Sequence, residues 1–398
     1  MTDKMRNIVT TGLLILLALS AFVAGYFSND FIEQRQGRSV TIDESGFGLF
    51  WEAWTLIDAN YLGELPSTTQ LSYGAIRGAL QLLNDPYTIF IEPPERAEEQ
   101  DLLRGSFGGI GATLSRPEEN GPIILEPIPG NPAEEAGILS GDQLVAVDGR
   151  EILPEMTVQE IAESIRGEKG TSVVLTVIHN GETESVDVEI IRGDILIPSV
   201  SYRILNDTPE IGYIQLTRFS GESTQEVATA IESLLNEGAE NLVLDLRGNG
   251  GGLLDAAVSI SDHFLDDGPV LIQQVKGQDE QIYNATSQTI AKDIPLVVLI
   301  DGGTASASEI VAGALQDRGR AMLVGSSGSF GKGSVQLVFD LSDGSSIHVT
   351  SSRWFTPDRN QIDQMGLMPD VIVEFTQEDL DNSRDVVLLE AVQLLQNE

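Results

Sequence analysis

Two serines, Ser306 and Ser308, stand where an apolar strand at 294–300 breaks into the turn Asp301-Gly302-Gly303 and a helix begins. Ile310, Val311, Ala314 and Leu315 recur behind them at helical spacing. A serine on a strand-to-helix corner is presented on a sharp bend. The first N–H groups of the helix lack intrahelical partners, point the same way and can hold a negative charge. A nucleophile whose attack generates an oxyanion needs this arrangement. Downstream, Lys332 sits between Gly331 and Gly333 in a segment short of other positive charge. The chemistry suggested is acyl transfer through a serine.

A serine hydroxyl is a poor nucleophile until a base takes its proton. The chain has three histidines. His179 falls in an Asn-Gly hairpin turn and is expected in solvent. His263, beside Phe264 and Leu265, is expected to pack. His348, in an alternating strand, stays a rival base. A lysine can serve instead when burial among apolar groups lowers its pKa until it is neutral near pH 7. Lys332 has Phe330 and Val335 nearby. Gln336 follows at an even offset, which shares a face on either a strand or a helix, so it can orient the amine. An isolated Gly-Lys-Gly is more often an exposed turn. Two other readings fail on spacing. A phosphate loop needs G-x-x-x-x-G-K-[ST], but Ser326 replaces its first glycine and Gly333 follows the lysine. An esterase elbow needs G-x-S-x-G, which 304–308 does not supply.

The string A-S-A-S-E-I at 305–310, with F-G-K-G-S-V-Q at 330–336, resembles the carboxyl-terminal processing peptidases, serine peptidases with a Ser/Lys dyad. The likeness extends from about Trp54 to Val373. It implies Ser306 as nucleophile, with Ser308 as second choice, Lys332 as general base and Gln336 as the residue positioning the lysine. Asp317 matches a position that some members rely on, although an Asp at a helix end also serves as a plain turn residue. Residues 245–252, D-L-R-G-N-G-G-G, resemble the family's D-L-R-x-N-x-G-G, with Gly250 where proline is common. This implies that the N–H groups of Gly251 and Ala307 form the oxyanion hole, and the missing proline leaves the first donor open by one residue. The 325–330 loop is one residue longer than the family's usual form, an insertion that loops tolerate. The 353–357 and 366–370 strings match closing motifs and receive no catalytic role.

The elements that must position these residues read as a multidomain α/β chain with an N-terminal transmembrane helix, a helical segment, a small β-rich PDZ domain and an α/β catalytic domain with crossover helices. Lys4 and Arg6 precede an uncharged run at 8–27, about 30 Å long as a helix. Residues 1–30 are therefore expected to be a membrane anchor with the rest of the chain outside, a cleaved signal being the rival. Residues 31–95 read as a linker and helices at 47–61 and 71–83, closed by D-P-Y-T. Residues 96–193 carry strands around the turns at 131–137, 148–149 and 180–181, with a helix at 157–165, an order that resembles a PDZ domain. PDZ domains add a peptide as an extra strand and hold its terminal carboxylate on loop N–H groups. The resemblance assigns that loop to Gly109, Ile110 and Gly111. Arg166 either adds a positive charge near the peptide end or is a solvated helix-terminal residue. Residues 194–375 alternate strand and helix, implying a sheet with crossovers. Residues 376–398 hold a terminal helix with Val386, Leu389 and Val392 inward.

With 23 Lys and Arg against 61 Asp and Glu, the net charge of −38 excludes a basic stripe for nucleic acid. There is no cysteine, hence neither a disulfide framework nor a thiolate metal site, which fits an oxidising compartment. No H-E-x-x-H occurs, and neither metal nor other cofactor is expected. The resulting expectation is a single-pass, extracytoplasmic serine endopeptidase, or a secreted one if its leader is cleaved. It would act on proteins with free C-termini, through an acyl-enzyme, and homo-oligomerisation is left open. A non-catalytic PDZ tail-binder and a small acyl ester or amide hydrolase are the rivals.

Overall fold

A computed structural model describes residues 44–287, 289–382 and 384–397. The helices are α1 (Gly48–Asn60), α2 (Thr68–Gln81), α3 (Pro93–Arg104), α4 (Pro132–Glu135), α5 (Val158–Ile165), α6 (Ser223–Asn236), α7 (Leu254–Asp262), α8 (Ala307–Asp317), α9 (Gln377–Asp381) and α10 (Val386–Asn397). The strands are β1 (Ile89–Ile91), β2 (Ser106–Gly109), β3 (Ala112–Ser115), β4 (Ile123–Pro127), β5 (Asp142–Val147), β6 (Arg150–Glu151), β7 (Ser172–Ile178), β8 (Ser185–Ile191), β9 (Gly193–Leu196) and β10 (Val200–Leu205). They continue with β11 (Thr208–Leu216), β12 (Asn241–Asp245), β13 (Pro269–Val275), β14 (Gln281–Asn284), β15 (Leu296–Ile300), β16 (Met322–Gly325), β17 (Ser334–Asp340), β18 (Ser346–Phe355) and β19 (Val371–Ile372).

The chain divides into two units, 1–72 and 73–398. In the first, α1 forms where the helical pattern places it, and Gly63 and Pro66 lie in the coil that follows. None of the residues of α1 is buried, so its apolar stripe is uncovered. The expectation of a transmembrane helix is corrected. Among the described residues no helix is long and apolar enough to cross a membrane. The 14 residues of α2 or α6 rise about 21 Å, short of a hydrocarbon layer of about 30 Å. The apolar run at 8–27 lies outside the described residues.

In the second unit, residues 112–191 form the small β domain, with strand order β3-β4-β5-β7-β8 and β6 on β5. Alternation along β7 buries Val173, Leu175 and Val177 against Ile161 and Ile165 of α5. Thr157 caps that helix, accepting from the Glu160 N–H while Glu160 accepts from the Thr157 N–H.

The larger part has a six-stranded sheet ordered β10-β11-β12-β15-β16-β19. It is parallel from β11 onward, with β10 antiparallel at one edge. β12 and β15 read as nearly unbroken apolar runs because both faces are covered. Helices α6, α7 and α8 cover one face, around Ile231, Leu244, Phe264 and Val311. α10 covers the other with Val387, Ala391 and Leu395. Of the inward stripe expected at Val386, Leu389 and Val392, Val392 packs against this cluster, whereas Leu389 is 53% exposed and Val387 takes the buried place. A second, antiparallel sheet places β18 between β17 on one side and β1 and β13 on the other.

Candidate active site

Ser306, Ala307, Lys332 and Gln336, far apart in sequence, line one cavity of about 290 Å³. Its walls are Glu99 and Leu103 of α3, Gly250, Gly252 and Leu253 of the loop after β12, Ile310 of α8, Val338 of β17, and His348 and Trp354 of β18. Ser306 is where β15 turns into α8, with φ 57° and ψ −115°. A non-glycine residue held in such a conformation is strained, and the surrounding bonds must enforce it. Its N–H donates to Glu309 Oε2 at 2.7 Å. Ser308, the alternative nucleophile, is buried and donates its hydroxyl to the Asn249 carbonyl at 2.8 Å. That proton is already committed. Ser308→Ala is therefore expected to retain cleavage and to cost about 1 kcal/mol of stability, measured by chemical denaturation.

Lys332 is held by its neighbours rather than by its amine. Its N–H donates to Glu309 Oε2 at 2.9 Å, and its carbonyl accepts from Trp354 Nε1 at 3.1 Å. The Nζ lies 5.2 Å from the centroid of the Tyr87 ring. Burial lowers the pKa of this lysine, opposed by the negative charges of Glu309 and Glu99. Gln336 does not bond the lysine. Its Nε2 donates to Ser334 Oγ at 2.9 Å and Thr350 Oγ1 at 3.3 Å. Among the described residues no hydrogen bond joins Ser306 Oγ to Lys332 Nζ, so proton transfer requires the amine to close on the hydroxyl. Free sites commonly tighten in this way when substrate binds. His348, the rival base, stands in the same cavity with Nε2 3.3 Å from Glu99 Oε2, and burial lowers its pKa.

The glycine loop after β12 does not present the Gly251 N–H that the resemblance assigns to an oxyanion hole. The N–H of Gly251 is already donated to Asn249 Oδ1 at 2.9 Å, and Gly251 is buried. Gly250 and Gly252 face the cavity instead, and among the described residues neither of their N–H groups has a partner. Gly251 is required for close approach. A Cβ there would lie 2.8 Å from the Ala305 carbonyl and 2.9 Å from the Ser306 Cβ. Asn249 stitches this loop to the serine corner, its carbonyl accepting from the Ala305 N–H at 3.0 Å as well as from Ser308. Asp317 lies at the far end of α8, outside the cavity. It accepts from the Asp358 N–H and from Asn360 Nδ2 and so braces a turn.

A strained serine, a half-buried lysine and bare amides thus share one cavity. The profile of peptidase family S41 covers residues 210–373, and that of a PDZ domain residues 123–178. A carboxyl-terminal-processing protease of Synechocystis sp. is 37% identical over 324 residues, 81% of this chain and 75% of that protein. The chain belongs to the carboxyl-terminal processing peptidases of family S41. It is a serine-type peptidase with a PDZ domain, and its substrates are proteins or peptides. The carboxy-terminal processing protease CtpA of Bacillus subtilis is 35% identical over 93% of this chain and 77% of its own. A solved structure named photosystem II D1 C-terminal processing protease is 32% identical, covering 85% of this chain and 96% of that one, with a TM-score of 0.47.

In this S41 peptidase the PDZ domain carries its own groove of about 290 Å³. Gly109, Ile110 and Gly111 line it together with Ile165 and Arg166. Gly111 has φ 70°, which turns the chain so that successive N–H groups face one way. Among the described residues the N–H groups of Ile110 and Gly111 have no partner. Arg166 is stacked on Phe107, its Cζ 4.6 Å from the ring centroid, so it is a wall of the groove.

Residue-type reasoning missed four contributors. Glu99 and Leu103 lie on α3, whose residues 96–104 were assigned to the β domain. Tyr87 lies in the D-P-Y-T turn that closes the second helix, and its ring faces Lys332 Nζ. Glu309, inside the A-S-A-S-E-I string itself, received no role although it is wholly buried and touches both halves of the site. His179 is also corrected. Its Nδ1 lies 2.9 Å from Oδ2 of the buried Asp142, so it is half-buried against that carboxylate rather than free in solvent.

The charges around Lys332 give a pH prediction with a definite sign. With Lys332 as the proposed general base, only its neutral amine could accept a proton, so kcat/KM is expected to rise with pH through the lysine's pKa. Burial sets that pKa below the ordinary 10.5, and Glu99 pulls it back up. Glu99→Gln removes one negative neighbour and disfavours the ammonium. The ascending limb of the pH–rate profile is expected to move to lower pH. A limb that stays put or moves up would remove Glu99 from the electrostatics of the base.

Proposed function

We propose that Ser306 and Lys332 are the catalytic dyad, and that the PDZ groove holds the free C-terminal tail of a protein while the chain is cut upstream. In the first half-reaction Ser306 Oγ attacks the scissile carbonyl carbon, and its proton passes to Lys332 Nζ. The oxyanion is met by the Ala307 N–H and by that of Gly250 or Gly252. Lys332 then gives the proton to the leaving amine. Water attacks the ester in the second half, returning a proton through the same amine to Ser306.

The observation that carries this reading is the strained Ser306 sharing a cavity with a lysine whose ammonium is disfavoured by burial. Gln336 supports it indirectly, by bonding Ser334 on the cavity wall and Thr350 of the neighbouring strand. An extracytoplasmic place of work is part of this proposal, and a chain without cysteine has no thiol to be oxidised there.

The test uses an unfolded protein ending in an apolar tail. The wild type is expected to cut it, Ser306→Ala to bind it without cutting, and a tail ended by a carboxamide to raise KM. Binding without cleavage by the wild type would leave a tail-binding adaptor, and ester hydrolysis alone would leave a small-substrate enzyme.

A further inference from the structure

The loop that offers its amides to the oxyanion leaves β12 at Asp245, and its first long side chain, Arg247, is held from two sides. Nε and Nη2 donate to Asp245 Oδ1 and Oδ2 at 2.9 and 2.6 Å. Nη1 and Nη2 donate to Asp385 Oδ1 and Oδ2, each at 2.8 Å. These planar forks fix both the place and the orientation of the guanidinium. Asp245 is 1% exposed and also accepts from the Tyr213 hydroxyl at 2.7 Å.

The two carboxylates do different work. Asp245 is the last residue of β12, paired with Gln215 and Leu299, so its bond ties Arg247 to the sheet at the point where the loop departs. Asp385 is 138 residues away in sequence and immediately precedes α10. Its Oδ1 also accepts from the Leu388 N–H at 3.1 Å, so one carboxylate ends the helix and grips the arginine. α10 is in turn fastened to the sheet by Val387, Ala391 and Leu395. The family match ends at residue 373, before this segment begins.

We propose that Asp385 is a positioning residue for the peptidase reaction. Through Arg247 it references the 247–252 loop to the packed helix α10, so that the loop's N–H groups stay aimed at the oxyanion. The inference rests on the proposed function, in which that loop supplies oxyanion donors. A donor displaced by a fraction of an ångström weakens transition-state binding while leaving tail recognition in the PDZ groove untouched.

The experiment compares wild type, Asp385→Asn and Asp385→Glu on the tail-bearing protein, with a peptide aldehyde as a probe of the oxyanion hole and a thermal melt of each variant. Asn keeps an oxygen for the Leu388 N–H but breaks the charged fork. Its kcat is expected to fall about tenfold with KM within about twofold, and the aldehyde's inhibition constant to rise by a similar factor. Glu, which restores the fork, should recover most of kcat. The inference is overturned if Asp385→Asn keeps kcat within twofold, if its loss follows the unfolded fraction at assay temperature, or if it does not fold. A wild type that does not cleave would instead overturn the proposed function, and this inference with it.

Discussion

Lys332→Ala is expected to abolish peptide-bond cleavage while leaving the protein folded and able to bind a C-terminal tail. General-base assistance contributes about 10²–10⁴-fold to such reactions, and no other group takes its place here. His348 lines the cavity, but its Nε2 is turned to Glu99. Lys332→Arg should be equally inactive, because a guanidinium stays charged and cannot accept the proton. The effect on stability has the opposite sign to that of an ordinary core truncation. A lysine whose folded-state pKa lies below the unfolded value opposes folding while it is protonated in the unfolded chain. That penalty is fully present below the lowered pKa and relieved as pH rises toward the unfolded value of 10.5. Near neutral pH the alanine variant should therefore melt no lower than the wild type. Residual cleavage within tenfold of wild type, or a lower melting temperature that accounts for the loss, would remove Lys332 from the base's role.

That Ser306 and Lys332 are candidates was legible because glycines and an apolar context surround a lone lysine, and because the serine corner sits between two strongly periodic elements; the fold brings both to one cavity. The buried strands β12 and β15 were legible for the same reason, their apolar runs leaving no polar face to mistake. What sequence could not supply was the far partner of a polar residue. The acidic segment 95–101 has no apolar stripe, so nothing local shows that α3 walls the cavity. Its place depends on Arg96 reaching Asp340, 244 residues away. The Asn-Gly turn suggested a solvated His179, yet Asp142, 37 residues earlier, recruits it. In α10 four consecutive apolar residues, 386–389, leave the inward stripe undecided until the sheet chooses it. The Gly251 amide looked available because a glycine cluster advertises bare donors, and only the side-chain rotamer of Asn249 decides which one is spent internally.

Glu309 is the residue whose loss should disable the site most completely without touching either reacting atom. Oε2 accepts from the N–H groups of Ser306 at 2.7 Å and Lys332 at 2.9 Å. Oε1 accepts from the Gly331 N–H at 2.7 Å and the Ser329 hydroxyl at 2.6 Å. One buried carboxylate thus joins the backbone of the nucleophile to that of the base, and it holds the lengthened 325–330 loop as well. Alanine would leave four donors without a partner, each costing about 1–3 kcal/mol, enough to release the loop. Glutamine is the sharper test because it preserves volume. Its amide keeps one acceptor but sets two N–H donors against whichever pair of groups faces the nitrogen. Glu309→Gln is therefore expected to lower kcat by at least about a hundredfold while the isolated binding step survives. The checks are single-turnover cleavage, a thermal melt and titration of the PDZ groove with a free-tailed peptide. Near-normal kcat in a folded Glu309→Gln protein would show that the two halves of the site find their alignment without the carboxylate. The strain at Ser306 would then have to be enforced by the Asn249 contacts alone.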